Sequence, residues 1–192
     1  MKHTRRFPFT VMVLLALVSG LVPQAAARPS HRAGQAEVSV PAMLPLRGTL
    51  EGHHVRRIPL TPPVVSDRFE ATGEATHLGH YEVVITATVD FGSRPVTGEG
   101  SYTFTAANGD RLVADHTGSS ALVRPGTVLI TEHAIIDPAR STGRFAGATG
   151  TFTVERLADA ATGVGGVTSG TIHGSISLAP LQRRLERAPL RR

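Results

Sequence analysis

Glu132 lies in the stretch VLITEHAII, residues 128–136, where the alternate positions Val128, Ile130, Ala134 and Ile136 are apolar. A period of two is the spacing of a strand with one buried face, so the carboxylate shares that face with aliphatic neighbours. A carboxylate so placed must be paired, hydrogen-bonded or kept protonated by a raised pKa. As a functional group it could polarise a bound molecule or act as a general acid or base. As a structural group it would bond to an internal Tyr, His, Arg or water, with Arg144 and Tyr102 as examples.

The same alternation supplies companions. Tyr102 falls in phase with Phe104, His116 with Leu112 and Ala114, and His77 with Phe69, Ala71, Gly73 and Ala75. Glu132, Tyr102, His77 and His116 therefore form the candidate ligand-binding set, lining one end of an internal cavity, with Glu132 the best candidate for a catalytic group. The facing depends on register, because one bulged residue turns a side chain to solvent.

Other chemistries find less support. His77 and His80 in THLGH, and the pair His53-His54, are the best local histidine groupings. Residues three apart on a continuous strand point to opposite faces, and only a turn at Leu78-Gly79 could converge the first pair. With no cysteine and no H-E-x-x-H, no metal site is expected. The serines of TSGTIHGSIS and HTGSS do not form G-x-S-x-G, and ATGVGG has no following Lys or helix to make a phosphate loop. No cofactor is implied. His133 and His173 are expected to face outward.

These residues need strands to hold them, and the chain from Phe69 onward has little else. Runs rich in Thr, Val, Ile and aromatic residues alternate with Gly, Asn, Asp and Pro. Eight strands are predicted, near 46–51, 68–77, 80–90, 97–106, 110–118, 126–137, 147–157 and 166–178. Asn108-Gly109 accepts the positive φ of a tight turn and joins the fourth and fifth as a hairpin. Residues 53–66, HHVRRIPLTPPVVS, hold three prolines and read as a long connection. Eight sequential antiparallel strands suit a closed barrel, which leaves no exposed edge; the alternative is a β-sandwich.

The ends differ in character. Residues 1–27 read as a signal peptide, with Lys2, Arg5 and Arg6 before an apolar run and Ala25-Ala26-Ala27 at the expected cleavage site. Residues 28–44 read as a flexible linker, 45–180 as the barrel domain and 181–192 as a basic tail. No later stretch is apolar enough to span a membrane, so a secreted or cell-envelope protein is expected. Oxidising compartments permit disulfides, yet there is no cysteine, so stability must come from a packed core.

The formal net charge of +5 does not belong to the barrel. Residues 45–180 carry 10 Arg against 13 acids, a balance of −3, while LQRRLERAPLRR at the end carries +4. A nucleic-acid partner is therefore not expected. The tail reads as a solvated terminus or a weak tether to an anionic surface.

One stretch has a family likeness. In STGRFAGATGTFTVE, residues 141–155, the positions Gly143, Phe145, Ala148 and Gly150 match the G-[ST]-G-x-F-x-x-A-x-G pattern, which resembles that of allene oxide cyclase and dirigent barrels. With ATGEATHLGHYEV and YTFTAANGDRL, the chain is similar to bacterial secreted proteins sharing an allene oxide cyclase-like barrel, over about residues 45–180. The resemblance implies an all-β, calycin-like, eight-stranded antiparallel barrel with a hydrophobic cavity, and a homo-oligomer as in plant members. It transfers no catalytic residue, because glycine spacing reports backbone geometry.

The functional expectation is a secreted barrel that binds a small hydrophobic ligand or serves as a structural or surface module. The alternative is a cyclase or isomerase acting on a lipid-like substrate in the cavity, with Glu132 as its polar group. Phe145 is expected to be a plug that packs into one barrel end.

Overall fold

Period-two sequence becomes strand throughout the computed structural model, which describes residues 42–179. The strands are β1 (Leu44–Pro59), β2 (Val64–Ala75), β3 (Gly79–Asp90), β4 (Val96–Ala106), β5 (Arg111–Arg124), β6 (Thr127–Ile136), β7 (Thr149–Asp159) and β8 (Val167–Ser177). Each pairs antiparallel with its sequence neighbour, and β8 pairs with β1 to close an eight-stranded barrel. The expected closed barrel is therefore the fold, and the sandwich is not. The expected signal peptide, most of the expected linker and the basic tail, residues 181–192, lie outside the described residues. Among the described residues no helix is long and apolar enough to cross a membrane.

The long connection expected at residues 53–66 is instead mostly strand. β1 continues to Pro59 and β2 begins at Val64, with His54 opposite Phe69 and Arg57 opposite Asp67. Proline is excluded only where its missing N–H interrupts a ladder. Here Pro59 is the last residue of β1, while Pro62 and Pro63 occupy the turn.

The two halves of the barrel interior differ. In the half holding the ends of β2, β4 and β6, the inward positions carry large side chains. Tyr81 meets Phe104 edge-on at 5.2 Å, Phe104 meets Phe152 at 5.8 Å, and Leu46, Leu112, Ile172 and Ile176 are buried around them. A buried aromatic of this size removes roughly 150–250 Å² from water, worth about 1.5–3 kcal/mol each. This half is solid.

Its end is closed by the chain between β6 and β7, which forms a single 3-10 turn at Gly143–Phe145. Phe145 and Ala148 are fully buried, and Arg144 donates from Nη2 to the Leu78 carbonyl at 2.8 Å. Phe145 is the plug expected of it. Gly143 takes φ 62°, and a Cβ there would stand 1.6 Å from Asp110 Oδ1, so only glycine admits the chain at that point.

Candidate functional site

The opposite half is hollow because its inward positions are small. Ala87 on β3, Gly98 on β4, Gly118 and Ser120 on β5 and Ala158 on β7 occupy the levels that aromatic rings fill at the closed end. They leave a cavity of ≈ 190 Å³, walled also by Phe69, Val89, Val96, Val128 and Ile130. Glu132, His116 and Arg156 bring polar groups into this apolar chamber.

Glu132 is the centre of the polar group. Its Oε2 accepts from Arg156 Nε at 3.0 Å and from the Tyr102 hydroxyl, and its Oε1 accepts from Arg156 Nη2 at 3.2 Å. The expected Tyr102 partnership is present. Arg144 is not a partner, since it lies at the plugged end, and Arg156 fills the role. Burial pushes the Glu132 carboxyl up, but the Arg156 guanidinium, with His116 and the Tyr102 hydroxyl, outweighs it and holds the pKa below the ordinary value. The group is a committed carboxylate.

Arg156 is buried through and through. Nη1 donates to Thr168 Oγ1 at 3.3 Å, and the guanidinium carbon lies 4.4 Å from the centre of the Phe69 ring. Burial pulls its pKa down, and the Glu132 charge and hydrogen bonds more than reverse that. Burial, reinforced by the neighbouring Glu132 charge, raises the Tyr102 phenol well above its usual range, so it remains a donor.

His116 has one satisfied ring nitrogen. Nε2 lies 3.2 Å from the Thr86 carbonyl, which can only accept, so Nε2 carries the proton. Burial holds the ring pKa below the ordinary value despite the Glu132 charge, so the ring is neutral at pH 7 and Nδ1 keeps a lone pair. Nδ1 stands 3.7 Å from Glu132 Oε1 and is the one buried side-chain nitrogen or oxygen without a hydrogen-bond partner among the described residues.

His77 does not join this group. β2 ends at Ala75, and His77 sits exposed in the β2–β3 turn at φ 66°, at the plugged end. The expected alternation fails there because the strand has already given way to the turn. Of the four residues expected to line the cavity end, the structure brings Glu132, Tyr102 and His116 together and leaves His77 apart. Among the described residues no group of three or more His, Asp or Glu is disposed to hold a metal ion. His133 and His173 face outward.

A second polar pair stands nearer the mouth. Asp67 is buried and accepts from Arg57 Nε at 2.8 Å and Nη2 at 2.7 Å, a two-pronged carboxylate–guanidinium bond. Asp67 Oδ1 also lies 3.3 Å from His54 Nε2, and the His54 ring stacks on Phe69 at 4.6 Å. A register shift in β1 between His54 and Arg56 makes this possible, since it puts Arg57 opposite inward-facing Asp67.

Arg156, Asp67, His54 and Arg57 are thus cavity residues that the sequence reading missed. Two of them had a signal. Phe152, Val154, Arg156 and Ala158 continue one alternation, as do Asp67 and Phe69, and in each case the inward set extends further than its apolar members.

The fold and site together define a closed antiparallel barrel, solid at one end and open at the other to a small apolar chamber with a charged, internally neutralised floor. Compared with known proteins, the chain matches no family model, no curated protein and no solved structure.

Proposed function

We propose that this barrel is a binding module for a compact, mostly apolar small molecule held in its open half, within an exported protein. The observation that carries the reading is the contrast between the halves: one set of inward positions is filled by rings, and the other leaves ≈ 190 Å³ between apolar walls. A cavity of about 150 Å³ lined by apolar side chains suffices for benzene, whereas drug-sized ligands need about 300 Å³ or more. The fitting ligand is therefore of single-ring size.

Retention rather than conversion of the ligand is favoured by the state of the floor. Glu132 accepts three hydrogen bonds and is held charged, so it has no proton to give, and a cyclase or isomerase using it as a general acid would first have to protonate it. The Gly143 and Phe145 plug supports a kinship in fold with the allene oxide cyclase-like barrels. A surface-contact role is the second reading, favoured by Leu122 and Val123, which are 70% and 52% exposed at the tip of the β5–β6 hairpin.

Thermal denaturation with a series of single-ring hydrophobes tests the binding reading. A ligand at about a hundred times its Kd adds about 2.7 kcal/mol, a rise of several degrees. No rise for any member of the series contradicts it.

A further inference from the structure

Each of the four hairpin tips that rim the open end of the barrel, β1–β2, β3–β4, β5–β6 and β7–β8, exposes a large apolar side chain. Leu60, Phe91, Leu122 with Val123, and Val164 are between 40% and 70% exposed. The three connections at the plugged end expose none, since Leu78 and Phe145 are buried there and the β4–β5 turn is made of Ala107, Asn108, Gly109 and Asp110. Apolar residues scattered singly over a surface are ordinary, but a ring of them confined to one end marks a contact surface.

Charge follows the same division. The tips, residues 55–66, 90–97, 120–128 and 157–168, hold Arg56, Arg57, Arg94 and Arg124 against Asp90 and Asp159, a balance of +2. The remainder of residues 45–180, with six Arg against eleven acids, carries −5. Arg57 is committed to Asp67, whereas Arg56, Arg94 and Arg124 are exposed and make no ion pair among the described residues. Asp90 and Asp159 bond to N–H groups of their own turns and leave the balance positive.

We propose that this crown docks on an anionic bilayer, with its apolar tips in the lipid and its arginines at the level of the phosphates. A fluid bilayer accepts separate tips at any spacing, and arginine stems lie along apolar surface while their heads meet lipid phosphates. A second crown is the wrong partner, because a two-fold contact would set the same unpaired arginines against one another. Phe91, Val96 and Gly163 belong both to the tips and to the cavity wall, so a docked barrel turns its chamber toward the membrane. An apolar guest then passes between lipid and chamber without crossing bulk water. The docking itself stands apart from the ligand reading and is tested without a ligand.

The chain has no cysteine, so a single introduced one carries a label uniquely. Val123→Cys at the crown and Asn108→Cys at the plugged end are each labelled, in the full chain, with a polarity-sensitive nitrobenzoxadiazole dye. Each is titrated with phosphatidylcholine vesicles, with and without about a third of phosphatidylglycerol. The crown label is expected to brighten and shift to shorter wavelength with the anionic vesicles, and the label at position 108 to stay in water. Read through the crown label, Leu122→Ser is expected to weaken binding about tenfold, and Arg94→Gln and Arg124→Gln about fivefold each. Ile135→Ser is the control, because Ile135 is 67% exposed on β6 near the plugged end, and no weakening is expected from it.

A crown label that stays in water, whether or not the chain sediments with vesicles, overturns the proposal, and so does equal weakening by Ile135→Ser. An equal response to vesicles without phosphatidylglycerol overturns the role given to the arginines. A crown label that shifts with protein concentration and no vesicles makes this end an interface between copies, and overturns the lipid partner. The chamber reading survives each of these results, since it is judged by ligand binding alone.

Discussion

Arg156 grips Glu132 with two nitrogens, Nε at 3.0 Å from Oε2 and Nη2 at 3.2 Å from Oε1, from the strand next to it and two residue pairs further along the ladder. Neither charge is exposed, so each depends on the other. Removing one member of such a pair strands a buried charge, at about 3–5 kcal/mol. Arg156→Met and Glu132→Gln are each expected to lose that much in urea denaturation, and the double variant to lose less than the sum by about 1–3 kcal/mol. Additive losses would mean that the two charges are solvated independently.

Acid should weaken the fold in two stages. His116 and Glu132 both have folded pKa values below their ordinary values of 6.5 and 4.5, so the unfolded chain binds protons first as pH falls. Their stabilising contributions are complete above those ordinary values, and are lost as pH drops from each ordinary value through its folded one. The transition temperature measured against pH is expected to begin falling below about 6.5, the ordinary imidazole value, and to fall again below that of glutamate. In His116→Phe the part of the first decline due to this ring should vanish. An unchanged profile in the variant would show that the His116 imidazole has the same pKa in the folded and unfolded chain.

The cavity should be fillable without touching its floor. Ala87 lines the chamber from β3 and makes no side-chain hydrogen bond, so Ala87→Leu adds apolar volume where there is room. Cavity filling commonly adds about 0.5–2 kcal/mol. The expected variant melts higher than wild type and loses the thermal shift given by single-ring hydrophobes. A lower melting temperature would indicate that the wall cannot admit the larger side chain.

The plug depends on Gly143 for two reasons that a paired experiment separates. Gly79 and Gly143 both have positive φ, 69° and 62°, but a Cβ at Gly79 meets nothing within 4 Å whereas one at Gly143 strikes Asp110. Gly79→Ala should cost only the backbone term of about 1–2 kcal/mol. Gly143→Ala should cost more, because the β4–β5 turn must also move. Equal losses in chemical denaturation would contradict a close approach at the plug.

The period-two pattern carries most of this architecture, since inward sets such as Tyr81, Val83, Ile85 and Ala87 read directly from YEVVITATV. Glu132, Tyr102 and His116 were legible for the same reason, each lying in phase with apolar neighbours. Arg156 is not legible in this way, because a buried arginine interrupts the apolar members of its strand and looks like the end of their run. Arg57 was hidden more deeply. Its inward position follows from a one-residue register shift in β1, and no local composition marks that shift. His77 shows the reverse error, a period extended one step past the end of its strand into a turn.

The claim that the open half is a ligand chamber is tested most directly by locating a bound hydrophobe. Methyl-labelled protein is titrated with toluene, and the methyl resonances are followed by NMR. Saturable shifts are expected at Val89, Val128 and Ile130, which wall the cavity, with Leu112 and Ile172 in the solid interior unmoved. Saturable binding that leaves Val89, Val128 and Ile130 unshifted, or no saturable binding at all, would contradict it.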